Sequence, residues 1–186
     1  MSWSLGEIQA LTVKAARGAG RPWGVADEAG WAVRWLAAVG LPGVEVMAKV
    51  LTARSGPTCP LEIGMTCADT RDLRHAEGVM ITHPLILLPF LGRLAGQDQT
   101  VLVEINGLNV HVAGDTTDAV GPLPEGTCLN LSLLPGTLPK RPRHFRIERI
   151  SPDALTTLED LAHRTYAPAT EASRNSGAGA GLTDND

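Results

Sequence analysis

The chain has 186 residues and a formal charge of −4, from 16 Lys and Arg against 20 Asp and Glu. This length suits one domain with a buried core. The acidic balance argues against nucleic acid or anionic lipid as partners, so any anion site must be local. Twenty glycines and 13 prolines announce many loops and turns. Cys59, Cys67 and Cys128 are odd in number and contain no C-x-x-C pair. That excludes the usual disulfide framework and structural zinc patterns and points to a reducing compartment, here the cytoplasm. The amino terminus has no basic region followed by an apolar run, and the longest apolar stretch, Pro84 to Leu91, is far below the ~20 residues that span a bilayer. No membrane partner is expected.

Ser4 and Glu7 have capping-box spacing, and Leu5, Ile8, Leu11 and Ala15 recur at helical intervals until Gly18 and Gly20 interrupt them. A second helix starts after Pro22, with Val25, Ala29, Ala32, Val33 and Leu36 on one face, and ends at Gly40. Leu41-Pro42-Gly43 turns into a third, roughly Val44 to Ala53. All four tryptophans lie within the first 35 residues, Trp31 and Trp35 four apart on one helix face. They read first as glue between a helical hairpin and the rest of the domain. The other readings are an aromatic ligand cage or a surface for a protein partner.

From Leu61 the period shifts toward two. Strands are expected at Leu61 to Cys67, Gly78 to Thr82, Thr100 to Ile105, Leu108 to Ala113, Thr127 to Leu134 and Phe145 to Ile150. His83-Pro84 opens an apolar segment to Leu91 that suits a buried helix or turn. Ser151-Pro152-Asp153 starts a helix whose stripe is Leu155, Leu158, Leu161 and Ala162. Helices followed by strands, without regular alternation, predict an α+β fold: an N-terminal helical hairpin packed on a mainly antiparallel sheet, closed by a C-terminal helix. The expected single domain covers 1–166, with a helical part at 1–53, the sheet at 61–150 and a helix at 151–166. A Gly-rich tail at 167–186 has little to bury, and composition alone makes it flexible.

Asn106-Gly107, between Val101–Ile105 and Leu108–Val112, predicts a two-residue type I′ hairpin turn. That register sets Glu104 opposite Asn109 and Leu102 opposite His111, so Glu104 and His111 are diagonal neighbours. A carboxylate beside an imidazole orients it for general acid/base work, with Asn109 as a neighbouring ligand contact. The plainer reading is a solvated sheet face. The other histidines show no metal-ligand spacing, and His83, before Pro84, suits a helix cap or a buried hydrogen-bonded imidazole. No serine or cysteine occupies a nucleophile elbow. Lys140 to Arg149 gathers five of the sixteen basic residues. It suits a phosphate or carboxylate, with Arg146 as a contact, or the acidic terminus Asp184-Asn185-Asp186, or simply a solvated strand face. With Phe145 alone to stack, nucleic-acid binding is poorly supported. The glycines near the terminus have no strand before them and no helix after them, which rejects a dinucleotide fold and leaves the cofactor unspecified.

Lys14-Ala-Ala-Arg17-Gly-Ala-Gly20, Trp23-Gly24 through Glu28-Ala29, and Arg34-Trp35-Leu36 form one familiar segment; Thr165 to Pro168, Ser173-Arg174 and Gly177 to Asp186 form another. Together they resemble, over the whole chain, an uncharacterised proteobacterial family known as a domain of unknown function. The resemblance implies that the tail belongs to the pattern, so Arg174 becomes a candidate ligand contact and the tail from Pro168 to Asp186 is expected to be ordered against the domain. The first two helices are also similar to the N-terminal helical hairpin of the non-Rossmann malate and L-lactate dehydrogenase family. The Ser-His-Gly motif of that family is absent, so no NAD site follows. Two functions remain. One is an enzyme, or a subunit of one, acting on a polar or anionic small metabolite with His111 as acid/base and Glu104 orienting it. The other is a non-catalytic module that docks a partner through the Trp-rich helices.

Overall fold

The computed structural model describes residues 2–53, 56–96 and 98–166. The chain opens with strand β1 (Trp3–Ser4) and helix α1 (Leu5–Gly18), joined by the expected capping box. The Glu7 amide donates to Ser4 Oγ at 3.2 Å, and the Ser4 amide donates to Glu7 Oε2 at 2.7 Å, satisfying two orphan donors of the first turn. Helices α2 (Trp23–Ala38) and α3 (Gly43–Thr52) follow. On α2, Ala26, Ala29, Ala32, Val33 and Leu36 are fully buried, the face that its helical period defines.

Leu61 to Cys67 is a helix and not a strand: α4 runs Pro60–Thr70. Leu61, Ile63, Met65 and Cys67 alternate as a strand would, but Pro60 sits in the first helical turn, where its missing N–H costs nothing. Leu61, Gly64 and Cys67 share one side at i, i+3, i+6 and are buried. Gly64 lies against the ring of Phe90, so the absence of a side chain is what lets two helices touch. The apolar run after His83 is helical, as a 3-10 turn (Pro84–Leu87) leading into α5 (Leu88–Ala95).

The strands are β2 (Met80–Ile81), β3 (Gln99–Ile105), β4 (Leu108–Ala113), β5 (Thr116–Thr117), β6 (Thr127–Cys128), β7 (Asn130–Pro135) and β8 (Arg146–Ile147). The main sheet has the order β5-β4-β3-β7, every pair antiparallel, while β1-β8 and β2-β6 form two separate ribbons. The stretch expected as one strand at 127–134 is thus divided between two sheets, and that expected at 145–150 keeps two paired residues. Val101, Val103, Ile105, Val110, Val112 and Leu131 are buried on one face of the main sheet, against the helical layer. Helix α6 (Pro152–His163) closes the domain, burying Leu158 and Leu161.

The architecture is α+β, with helices first and last around antiparallel strands. Residues 136–151 form a strap held at intervals. The Gly136 amide donates to Asp98 O at 3.1 Å and the His144 amide to Ala38 O at 2.8 Å. Arg141 Nη1 donates to Ala119 O at 2.6 Å, and the Ser151 amide to Glu45 Oε1 at 3.1 Å.

Candidate functional site

Asn106 and Gly107 both have positive φ, 49° and 79°, as a type I′ turn demands, and the expected register is present: Glu104 opposite Asn109, Leu102 opposite His111. These side chains lie on the outer face of the main sheet, away from the helices. Glu104, however, does not orient His111. The imidazole Nδ1 is 2.7 Å from Asp118 Oδ2, and the His111 amide donates to Asp118 Oδ1 at 2.6 Å. Within an antiparallel pair the opposite residue sits closer than a diagonal one, and β5 puts Asp118 opposite His111 by continuing the pairs Ala113–Thr116 and Val112–Thr117. Sequence reasoning missed Asp118. The available signal was Gly114-Asp115 between Val112-Ala113 and Thr116-Thr117, a second two-residue hairpin loop.

The tip of this second hairpin forms a wall of a cleft of about 740 Å³, with Trp31, Trp35, Gly92 and Arg93 from α2 and α5 on one side, Ala113 to Thr116 on another, and Lys140 and Arg143 from the strap. Gly92 lies against the Gly114 carbonyl, and the Trp35 indole donates to the same oxygen at 3.3 Å. Arg93 stacks 3.8 Å over Trp31 and makes two hydrogen bonds of 2.9 Å to Glu28. Arg143 bonds Asp115. The Lys140 ammonium carries no such contact among the described residues. Ala113 follows His111 by two positions and so shares its strand face, about 7 Å along, and Thr116 is the cross-strand neighbour of Ala113. The His111–Asp118 pair is therefore the next cross-strand pair on that face after one that lines the cleft, with Val112–Thr117 between them on the opposite face. Glu104 and Asn109 lie one pair farther away.

Arg146 is placed elsewhere. It lines a second cleft, of about 800 Å³, between the α2–α3 turn and residues 143–149, and its guanidinium binds Ser2 Oγ at 3.1 Å and Ser2 O at 3.0 Å. Arg143 borders both clefts. Arg174, the rest of the tail and the expectation that it is ordered lie outside the described residues.

His83 has φ 57° and ψ 54° immediately before Pro84, a left-handed conformation that neither a non-glycine residue nor a pre-proline residue favours. Its side chain is 14% exposed, with Nδ1 2.9 Å from Glu125 Oε1, and Lys49 Nζ is 3.4 Å from that oxygen. The imidazole contact is close but poorly directed for a hydrogen bond. It makes no cap to the 3-10 turn. Burial pushes the Glu125 carboxyl up, but His83 and Lys49 outweigh it and hold the group below its ordinary range. Among the described residues no three His, Cys, Asp or Glu side chains are grouped to hold a metal ion, and no helix is long and apolar enough to cross a membrane.

Of the four tryptophans, Trp23 alone stands open, at 68% exposure, with the Arg17 guanidinium 4.2 Å from its ring. Trp31 meets Phe90 edge-on at 5.4 Å, and Trp35 is buried. The Trp-rich helices thus spend most of their aromatic surface on the interior.

Fold and cleft together define a small α+β domain with a cation-lined hollow where its helical layer meets a hairpin tip. Residues 3–77 match the model of the family described as "Protein of unknown function (DUF3726)", a match that includes the segment from Lys14 to Leu36. No curated protein and no solved structure matches the chain.

Proposed function

We propose that this protein is a cytoplasmic enzyme, or the substrate-binding subunit of one, that acts on a small anionic metabolite by general acid/base chemistry. One observation carries the reading: a single hairpin, β4–β5, supplies both the wall of the cation-lined cleft and the carboxylate-held imidazole beside it. With the proton on Nδ1, the ring donates a hydrogen bond to the Asp118 carboxylate, which leaves Nε2 free to take or give a proton. Lys140 supplies a positive charge without a partner among the described residues, and an incoming anion competes with Asp115 for Arg143. Gly92, Gly96 and Gly114 keep side chains out of the cleft and allow a ligand close to the backbone. Metabolite-sized hollows of several hundred Å³ with a few convergent polar groups are the usual form of such sites. The alternative, a non-catalytic module docking through the Trp-rich helices, has Trp23 as its one open indole among the described residues.

The test begins with the full-length protein and inorganic phosphate as an anion probe, read by the indole N–H resonance of Trp35. Phosphate is expected to move that resonance saturably, and Lys140→Ala to weaken the effect several-fold. Metabolites retained by the purified protein are then identified by mass spectrometry and offered as substrates. His111→Gln is expected to retain ligand binding and lose turnover. No saturable shift with phosphate, or full turnover by His111→Gln, overturns the proposal.

A further inference from the structure

Strand β7 forms an edge of the main sheet, paired with β3 on one side and with no strand among the described residues on the other. Natural edge strands are protected by charge, bulges, brevity or a covering element. Asn130-Leu-Ser-Leu-Leu-Pro135 contains no charged residue, and Pro135 shortens the pairing edge only at its end.

The core-side rows of the sheet run across β4, β3 and β7. One row is Val110, Val103 and Leu131, with 2%, 1% and 7% exposure. The next is Val112, Val101 and Leu133, where the first two are fully buried and Leu133 is 42% exposed. Leu133 thus points to the core side but ends its row uncovered.

We propose that β7 is a homodimer interface, pairing antiparallel with β7 of a second copy about a two-fold axis through Ser132. Opposite residues in an antiparallel pair point to the same face, so both sheets keep their core faces on one side when the axis passes through a residue position. Centring on Ser132 uses the strand from Asn130 to Leu134. It sets Leu131 against Leu133 of the second copy and Leu133 against its Leu131. The short palindrome Leu131-Ser132-Leu133 therefore supplies, from the same chain, the apolar neighbour that the open row lacks. The combined sheet has eight strands, β5-β4-β3-β7 followed by its symmetry mate. The contact is isologous and closed, so it yields a dimer without a fibre. Five residues extend about 17 Å, a small interface that makes the dimer weak and concentration-dependent.

The inference is independent of the cleft and is tested on the full chain by sedimentation from about 1 µM to about 1 mM. Ser132 is exposed and faces its own copy across the axis, so Ser132→Lys and Ser132→Glu each place like charges opposite one another. Each single variant is expected to raise the dimer dissociation constant about fivefold or more, while an equimolar mixture of the two restores dimer. Unchanged thermal unfolding of each variant shows that the fold is retained. A wild-type chain that stays monomeric over the range overturns the proposal. So does a dimer indifferent to both charges, or a mixture that fails to recover. Slow exchange in dilute monomer of those amides in residues 130–134 that point away from β3 also overturns it, since another part of the chain would then cover the edge.

Discussion

Gly64→Ala tests how helix α4 is seated. A Cβ built at this position would lie 2.6 Å from Cδ2 of Phe90, 2.9 Å from its Cγ and 3.2 Å from its Cβ. Carbon atoms rest at about 3.5–4.0 Å, so α4 and Phe90 must separate by roughly 0.9 Å. Phe90 has little room to yield: it is fully buried, and its ring meets Trp31 at 5.4 Å. Overpacking of this kind costs about 1–3 kcal/mol, whereas alanine in place of a helical glycine returns up to about 1 kcal/mol. The expected net loss is about 1–2 kcal/mol in urea unfolding followed by tryptophan fluorescence, with an unchanged slope. A double-mutant cycle with Phe90→Leu should show coupling, because trimming the ring removes the clash. Gly24→Ala is the control, since nothing lies within 4 Å of its Cβ position in the first turn of α2; it should be neutral or slightly stabilising. If Gly64→Ala is as stable as wild type, or the cycle shows no coupling, the packing argument is wrong.

Asp118→Ala removes the acceptor of two hydrogen bonds from His111 at a partly exposed site and should cost about 1 kcal/mol in urea unfolding; nitrogen NMR of the His111 ring should show the loss of its fixed tautomer. Cys128 is exposed, whereas Cys59 and Cys67 are buried, so iodoacetamide should label Cys128 in the folded protein and all three thiols in urea. Burial, aided by the charge of Asp72, pushes the Cys67 thiol up to about 11 from 9.0. Its contribution to stability is therefore complete below pH 9.0 and lost as pH rises through about 11, a loss that Cys67→Ala should abolish in alkaline unfolding curves. Hydrogen bonds from Arg74 hold the Asp72 carboxyl at about 2, below its ordinary 3.8. The stability difference between wild type and Asp72→Asn should accordingly persist above pH 3.8 and vanish as pH falls through about 2.

Much of the architecture was legible locally. The Ser4–Glu7 box, the glycine stops, the Asn106-Gly107 turn and the Ser151-Pro152 start each act within four residues, through hydrogen bonds or backbone preferences that need no distant partner. The hairpin register was readable for the same reason, since a two-residue turn leaves one pairing. What tertiary structure decided were choices between conformations of comparable local cost. Leu61 to Cys67 satisfies a strand period and a helix equally, and contact between Gly64 and Phe90, 26 residues away in the chain, selects the helix. The partner of His111 was likewise set at a distance along the chain. Glu104 has the right chemistry across one hairpin, but the second hairpin brings Asp118 directly opposite, and the shorter path to the ring wins. The basic run at 140–149 resembles a solvated strand, yet anchors on Ala119, Ala38 and Ser2 turn it into a strap. Its charges thereby border two clefts, because the backbone and side-chain groups that position them come from elements more than twenty residues away.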